Sequence, residues 1–251
     1  MIASRRIAWL ALAASAVLVN PWTALADDPK PAHSAVKPVD RKDKGWVKRH
    51  ESFVERAKKG NVDVLFLGDS ITQGWENNGR DVWKENFAPL KAANFGIGGD
   101  QTGHVLWRLT EGQELEGLQP KVAVIMIGTN NTGGHSAADI AGGIEAIVTE
   151  LRKQRPHCKV LLLGVFPRGS APKDDPVCPA EKLNPKIRQI NERIAKLDDG
   201  KMVIYKDIGP KFLNGQGGLS REIMPDLLHL SPKGYTIWAE AIKPDVEKLL
   251  K

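Results

Sequence analysis

A serine, an aspartate and a histidine occupy positions in this sequence that suit an acyl-transfer reaction. Ser70 follows the apolar segment 62–67 after a Gly-Asp pair, so its hydroxyl is expected at a strand's end, near the start of a helix. Asp226 and His229 lie three residues apart, which sets their side chains beside each other in a helical turn. A carboxylate fixes the tautomer of a neighbouring imidazole, and that imidazole accepts a serine proton. These residue types predict nucleophilic catalysis.

Each of these residues also has an ordinary structural interpretation. Asp69 or Ser70 could simply cap the helix that starts there, since both residue types are favoured at that position. Asp69 is expected to cap or brace the turn that presents Ser70. A histidine near a helix start is often structural, so the spacing between Asp226 and His229 is what favours the chemical interpretation.

Glycines and asparagines follow two further apolar segments. Segment 96–100 reads Gly-Ile-Gly-Gly-Asp, and Asn130 and Asn131 follow the apolar run 122–127. A glycine cluster lets backbone N–H groups approach a ligand closely, although loop asparagines often only form turns. Segment 96–100 partly resembles a dinucleotide-binding loop, but Gln101 stands where the third glycine would be.

The rest of the pattern supplies a scaffold that brings these segments together. Short apolar runs rich in Val, Ile and Leu alternate with helical patterns, which indicates an α/β domain with a parallel sheet of about five strands covered on both faces. Ligands bind beyond the carboxyl ends of such strands, where the polar residues above occur. The predicted strands are 62–67, 92–95, 122–127, 160–166 and 202–205, and the predicted helices are 46–59, 137–153, 181–197 and 232–250.

The N-terminal residues resemble an export signal. Two arginines precede an apolar stretch over 7–19, and an Ala-Leu-Ala motif ends at residue 26. We therefore expect a signal peptide over 1–26, a Pro- and Lys-rich linker over 27–44, and one domain over 45–251, exported to the periplasm or outside the cell. An uncleaved N-terminal anchor is the alternative; after cleavage no stable membrane span is expected.

Composition excludes several other classes of protein. The net charge is +6, yet 30 acidic residues are interleaved with the basic ones, so a nucleic-acid partner is not expected. The two cysteines, Cys158 and Cys178, are expected at opposite ends of one strand, which argues against a disulfide. No metal-binding His or Cys spacing and no phosphate loop occur, so no metal or cofactor is expected.

Four segments in order resemble the blocks of the SGNH hydrolases, also called GDSL-type esterases and lipases. These are Gly-Asp-Ser at 68–70, a glycine at 99, Gly-x-Asn at 128–130 and Asp-x-x-His at 226–229. The segments NFGIGGDQTGHVLWRL, IGTNN, AGGIEAIV, FPRG and LLHL are similar to the catalytic subunits of the intracellular platelet-activating-factor acetylhydrolase. That resemblance implies a flavodoxin-like three-layer α/β/α fold, monoacetyl esterase activity and a homodimer.

The resemblance also implies a role for each block. Ser70 would be the nucleophile, His229 its base, and Asp226 the residue that orients the base. The Ser70 N–H, the Gly99 N–H and the Asn130 amide would form the oxyanion hole.

Several residues are expected near the substrate, although core packing is an equal expectation for Trp107. They are Trp75, Asp100, His104, Trp107 and His135. The substrate itself is predicted to be an acetylated carbohydrate, on account of export, or a lipid ester. A catalytically silent binding protein and a flavodoxin-like nucleotide binder are the competing hypotheses.

Overall fold

Alternating apolar strands and helices fold into a three-layer α/β/α structure, as the sequence predicts. The computed structural model describes residues 33–251. Their strands are β1 (Val64–Gly68), β2 (Ala92–Gly96), β3 (Val122–Met126), β4 (Lys159–Leu163), β5 (Val177–Cys178), β6 (Val203–Lys206) and β7 (Leu219–Ser220). Their helices are α1 (Lys44–Lys58), α2 (Ser70–Gln73), α3 (Arg80–Asn86), α4 (Thr102–Leu109), α5 (Ala137–Gln154), α6 (Pro185–Ile194) and α7 (Pro232–Leu249).

The central sheet has five parallel strands in the order β2-β1-β3-β4-β6. Every residue of β1 and β3 is buried, since both strands are covered by helices on both faces. A separate two-stranded antiparallel sheet pairs β5 with β7. The fold class inferred from the alternating pattern is therefore confirmed.

Side chains of β1 alternate between two apolar clusters, one on each face of the sheet. Leu65 and Leu67 pack into the first cluster, which includes residues of α1, α4, α5 and α6. Val64 and Phe66 pack into the second, which holds Trp238 and the rest of the buried face of α7. This period-two alternation anchors β1 in the centre of the domain.

The strand register places the candidate residues together at the carboxyl ends of the central strands. Gly68 at the end of β1 lies opposite Gly96 of β2 on one side and Met126 of β3 on the other. Because the chain runs from β1 to β2 on one side and continues in β3 on the other, β1 is a topological switch point. The segments after β1, β2 and β3 therefore meet above the carboxyl ends of these strands.

Residues 33–43, called here the N-terminal arm, pack against the domain although they fall within the predicted linker. Ala35 in the arm is fully buried, and its carbonyl accepts a hydrogen bond from the Thr102 hydroxyl at 2.8 Å. The Val39 N–H donates to the Gly103 carbonyl at 3.0 Å. The packed unit therefore begins well before residue 45, where the sequence pattern places the start of the domain.

Within residues 33–251, no helix combines the length and apolar character needed to cross a membrane. The predicted signal peptide over 1–26 lies outside the described residues. Cys158 and Cys178 are both buried and carry free thiols.

Candidate active site

Ser70 is the first residue of a short helix that leaves the end of β1 in a tight turn. The carboxylate of Asp69 caps α2 by accepting the Ile71 N–H at 3.0 Å. Gly68 permits the close approach of α2, because a Cβ there would lie 2.2 Å from Thr72 Oγ1. The turn thus places the Ser70 hydroxyl just beyond the carboxyl end of β1. Asp69 caps the helix, as predicted.

The hydroxyl of Ser70 meets the imidazole delivered from the segment before α7. Ser70 Oγ lies 2.8 Å from His229 Nε2, and His229 Nδ1 lies 2.6 Å from Asp226 Oδ2. These distances are those of a nucleophile, a base and an orienting carboxylate in hydrogen-bond contact. The structure therefore brings together the three residues that the sequence singled out.

The Asp226–His229 segment is a turn, not a helix. Asp226 Oδ1 accepts the backbone N–H groups of Leu228 at 3.1 Å and His229 at 2.7 Å. Leu227 adopts a left-handed φ of 62°, which costs a branched L-residue energy and is held by its burial. Three hydrogen bonds to one carboxylate therefore fix the direction of the imidazole.

Those hydrogen bonds also control the charge of Asp226. Partial burial acts to raise the pKa of the Asp226 carboxyl, but the His229 side chain and backbone N–H, with that of Leu228, lower it below its ordinary value. The carboxylate therefore stays ionised at neutral pH. The side chains remain accessible, since 42% of His229 and 55% of Asp226 is exposed.

Backbone donors lie beside the serine. Gly99 has a left-handed φ of 78°, a conformation that glycine adopts without strain. Within residues 33–251, no hydrogen bond from the N–H of Ser70 or Gly99 to a protein acceptor is found. Two N–H groups, just beyond the carboxyl ends of β1 and β2, are therefore free for a ligand.

The side chain of Asn130 stands in the same loop cluster. Its amide nitrogen donates to the Asp100 carbonyl at 2.9 Å, and its backbone carbonyl accepts from Gln101 Nε2 at 3.2 Å. An amide group has two N–H donors, so one remains after the bond to Asp100. Asn130 is thereby tied to the loop that holds Gly99.

Asp100 is fully buried and anchors that loop through three cationic or polar donors. Its carboxylate accepts from Trp46 Nε1 at 2.7 Å, Arg108 Nη1 at 2.9 Å and Arg41 Nη1 at 3.1 Å. The expectation that Asp100 contacts substrate is therefore not met, because its side chain points into the protein. Its contacts hold the loop after β2 in place.

Arg108 connects Asp100 to a second buried carboxylate. Both side chains of the Arg108–Glu114 pair are fully buried, with Nη2 2.7 Å from Oε2, and Arg108 Nη2 also donates to the Phe95 carbonyl at 2.6 Å. Burial alone would lower the pKa of Arg108, but Glu114 and Asp100 raise it above its ordinary value. A continuous buried ion network thus lies beneath the loop after β2.

Asp69 is a buried carboxyl beneath the nucleophile. Its Oδ2 atom has no hydrogen-bond partner among residues 33–251, and burial raises its pKa to about 7. Asp100 also raises it, while the Ile71 N–H lowers it. Asp69 therefore lies near the midpoint of its titration at neutral pH.

The aromatic residues expected near the substrate have other surroundings. Trp75 is only 1% exposed and packs against Tyr235 and Trp238, with ring centroids 4.6 and 4.9 Å away, so it is a core residue. Trp107 packs against Trp46 at 5.5 Å, which fits the alternative expectation of core packing. Both rings are held by aromatic packing, Trp75 against α7 and Trp107 against α1.

The two histidines expected near the substrate, His104 and His135, form hydrogen bonds within the protein. His135 Nε2 lies 2.8 Å from the Ser34 hydroxyl of the N-terminal arm, and its carbonyl accepts from Lys186 Nζ. His104 Nδ1 accepts the Gln101 N–H at 3.0 Å, and burial lowers the pKa of His104. Both side chains thus stabilise the loops that border the site.

The site is open, whereas a separate cavity lies at the β6 edge of the sheet. That cavity has a volume of about 780 Å³ and is lined by α6 and the segments after β4 and β6, including Ile187, Asn191 and Tyr205. Ser70 and His229 do not line it. Among residues 33–251, no three His, Cys, Asp or Glu side chains converge to hold a metal ion.

Comparison with known proteins identifies the class to which this fold and site belong. The model of the GDSL-like Lipase/Acylhydrolase family matches residues 66–237, and the chain belongs to that family. The resemblance drawn from the four sequence blocks is therefore confirmed, and the protein is an ester hydrolase.

Several individual proteins are similar to this chain in sequence or in structure. The human platelet-activating factor acetylhydrolase IB subunit alpha1 is 41% identical over 206 residues, which are 82% of this chain and 84% of that protein. The chicken alpha2 subunit is 40% identical over 210 residues, 83% and 85% of the two chains. A candidate acylhydrolase structure from Bacteroides fragilis covers 84% of this chain and 100% of its own, with a TM-score of 0.66 and 24% identity, which shows the shared fold.

These relatives correct the predicted localisation. Export to the periplasm or outside the cell was inferred from the N-terminal pattern alone. The prediction is wrong, because the acetylhydrolase subunits that match more than four fifths of this chain are cytoplasmic enzymes. An apolar stretch preceded by two arginines was therefore insufficient for assigning a compartment.

Proposed function

We propose that this hydrolase is a serine esterase that releases short acyl groups, above all acetyl, with Ser70 as nucleophile. The observation that carries the proposal is the continuous hydrogen-bond chain from Ser70 Oγ through His229 to Asp226, beside free backbone N–H groups. A hydroxyl is a weak nucleophile until a positioned base removes its proton.

The contacts support a role for each residue in two half-reactions. Ser70 Oγ attacks the ester carbonyl carbon while its proton passes to His229 Nε2. His229 then gives that proton to the leaving alcohol, which leaves the acyl group on Ser70. Water, deprotonated by His229, attacks the acyl carbon. The bond to Ser70 Oγ then breaks, His229 returns the proton to Oγ, and the carboxylic acid is released. Asp226 holds Nδ1–H and stabilises the imidazolium in both steps.

Charge develops on the carbonyl oxygen in both tetrahedral intermediates. The N–H groups of Ser70 and Gly99 and the second N–H of Asn130 are the proposed donors to this oxygen. Such donors act through preorganisation, and the loss of one typically lowers kcat by about 10²–10³-fold. The buried contacts of Asp100 support the proposal because they hold the loop that carries Gly99, and the Asp100 carbonyl also accepts a hydrogen bond from Asn130.

The acetyl ester of a lipid-like alcohol is the proposed substrate class. The curated relatives are named as acetylhydrolases of platelet-activating factor and match more than four fifths of this chain. The acetylated-carbohydrate hypothesis rested on export alone and has lost that support. A panel of acetylated lipids and acetylated glycans, compared by kcat/KM, tests the choice: higher values for glycans would reverse it.

The catalytic assignment is tested with Ser70→Ala and p-nitrophenyl acetate. We expect kcat to fall by about 10⁴-fold or more, because the covalent route is removed. The matched control is Ser52→Ala, a serine whose hydroxyl donates to the Arg49 carbonyl on the exposed side of α1. A serine-directed fluorophosphonate should label the wild-type protein and the control but not Ser70→Ala. Full turnover by Ser70→Ala would refute the assignment.

A further inference from the structure

The N-terminal arm places an arginine against the loop that carries Gly99. Arg41 Nη1 donates to the Gly98 carbonyl at 2.8 Å and to Asp100 Oδ1 at 3.1 Å. Its Nε and Nη2 atoms lie 3.1 and 3.0 Å from Asp43 Oδ2, and 24% of the side chain is exposed. Arg41 lies outside residues 66–237, which match the family model.

The carbonyl that Arg41 binds belongs to the same peptide group as the Gly99 N–H. A charged donor at the oxygen of a peptide draws electron density from its nitrogen and makes the N–H a stronger donor, by the cooperativity that links chains of hydrogen bonds. We propose that Arg41 is a positioning residue that orients and polarises the Gly98–Gly99 peptide for oxyanion stabilisation. The inference rests on the proposed function, in which Gly99 N–H binds the oxyanion.

Contacts on two successive peptide groups hold the loop at Gly98. The Gly98 N–H donates to Gln73 Oε1 at 2.7 Å, while the Gly98 carbonyl faces the guanidinium. A Cβ at Gly99 would lie 3.3 Å from Arg41 Nη1, so the guanidinium also packs against the Gly99 backbone. Gln73 therefore holds the Ile97–Gly98 peptide, and Arg41 holds the Gly98–Gly99 peptide that follows it.

Loss of Arg41 would leave the buried network largely intact. Asp100 would retain its bonds from Trp46 Nε1 at 2.7 Å and Arg108 Nη1 at 2.9 Å, so no buried carboxylate would be stranded. Asp43, the other partner of Arg41, has a side chain that is 54% exposed. The catalytic contribution of Arg41 is therefore separable from a contribution to folding.

The experiment compares wild type, Arg41→Ala and Arg41→Lys in hydrolysis of p-nitrophenyl acetate, with thermal unfolding of each. We expect Arg41→Ala to lower kcat by about tenfold at unchanged KM, less than the loss of a whole oxyanion donor. Arg41→Lys should recover part of that loss, because an ammonium can still reach the Gly98 carbonyl. The control is Lys42→Ala, whose side chain is 85% exposed and pairs with Asp40.

Chemical rescue supplies a readout that a structural role would not move. Guanidinium ion, added well below denaturing concentrations, should raise kcat of Arg41→Ala but not of Lys42→Ala, with sodium chloride as the ionic-strength control. Wild-type kcat in Arg41→Ala, or a change confined to KM, would overturn the proposal. If Ser70→Ala also retained activity, the proposed function itself would fail; Ser70-dependent turnover that is indifferent to Arg41 would overturn this inference alone.

Discussion

Two regions of the site differ sharply in their exposure to water. The Asp226–His229 pair stands on an open turn with 55% and 42% of the side chains exposed. Asp100 and Arg108, which support the loop after β2, are fully buried. In the proposed mechanism, the first region exchanges protons with substrate and water, whereas the second keeps N–H groups in place. The difference indicates that one is built for access and the other for rigidity.

The two regions also differ in how the chain assembles them. Asp226 and His229 are three residues apart and are organised by one turn. The support of Asp100 instead gathers Trp46 and Arg108 from separate helices. A local turn can lose a contact without unfolding the domain, but removal of Arg108 takes the shared cation from two buried carboxylates, Asp100 and Glu114. Substitutions in the exposed region should therefore change mainly kcat, and those in the buried region mainly the free energy of unfolding.

The largest effect is expected on catalysis, in the exposed region. Asp226→Asn should lower kcat by about 10⁴-fold, because an amide nitrogen facing His229 Nδ1 favours the wrong tautomer. The free energy of unfolding should change little, since the asparagine oxygen can still accept the backbone N–H groups of the turn. Kinetics with p-nitrophenyl acetate and chemical denaturation measure the two quantities.

A neighbouring carboxylate provides the control for Asp226→Asn. Glu222→Gln removes an exposed carboxylate that pairs with Lys233 and should leave kcat unchanged. In the wild type, the lowered pKa of Asp226 implies that its protonation does not limit activity at mildly acidic pH. A variant Asp226→Asn with near-wild-type kcat would remove the carboxylate from the mechanism.

The second effect is expected on stability, in the buried region. Arg108→Met should lower the free energy of unfolding by about 3–5 kcal/mol, because Asp100 and Glu114 lose their shared cation inside the protein. Denaturant unfolding measures the change. Arg188→Met, at a side chain that is 83% exposed, should cost less than about 1 kcal/mol. Equal effects of the two substitutions would contradict the contrast between the regions.

The smallest effect concerns Asp69, which lies between the regions. Its pKa of about 7 exceeds that of an unfolded aspartate, so its contribution to stability is complete below about pH 4 and is lost as the pH rises through 7. Asp69→Asn should therefore raise the free energy of unfolding by about 1–3 kcal/mol at about pH 8.5 and have less effect at about pH 5.

Denaturant unfolding at both pH values measures the effect of Asp69→Asn. The control is Asp81→Asn, at a carboxylate that is 90% exposed and should give the same small change at both pH values. A change in stability that is independent of pH in Asp69→Asn would contradict the raised pKa.

The sequence predicted the sheet from local apolar patterns, and it predicted the meeting of Ser70 with His229 from the resemblance of four blocks to the GDSL-type hydrolases. Apolar runs identified the five strands of the central sheet, and the residues just beyond their ends were assigned to the site. The Asp226–His229 spacing was informative, although the segment proved to be a turn and not a helix.

The long-range contacts were not predictable in the same way. Trp75 follows the nucleophile closely in sequence, yet it is turned into the core by its packing on α7. The contacts of Arg41 depend on where the N-terminal arm crosses the domain, and the arm carries no periodic pattern. The same lack of pattern made residues 33–43 resemble a linker.

The N-terminal arm passes close to two glycines that are far apart in sequence, Gly103 and Gly143. A Cβ at Gly103 would lie 2.3 Å from the Ser34 carbonyl oxygen, and one at Gly143 would lie 2.3 Å from that of Ala35. Neither position tolerates a larger residue while the arm stays in place. At Gly143 a Cβ would also lie 2.5 Å from Thr102 Oγ1, so glycine there does not depend on the arm alone. At Gly103 the three nearest atoms all belong to the arm, so during divergence this glycine and the arm must persist or change together.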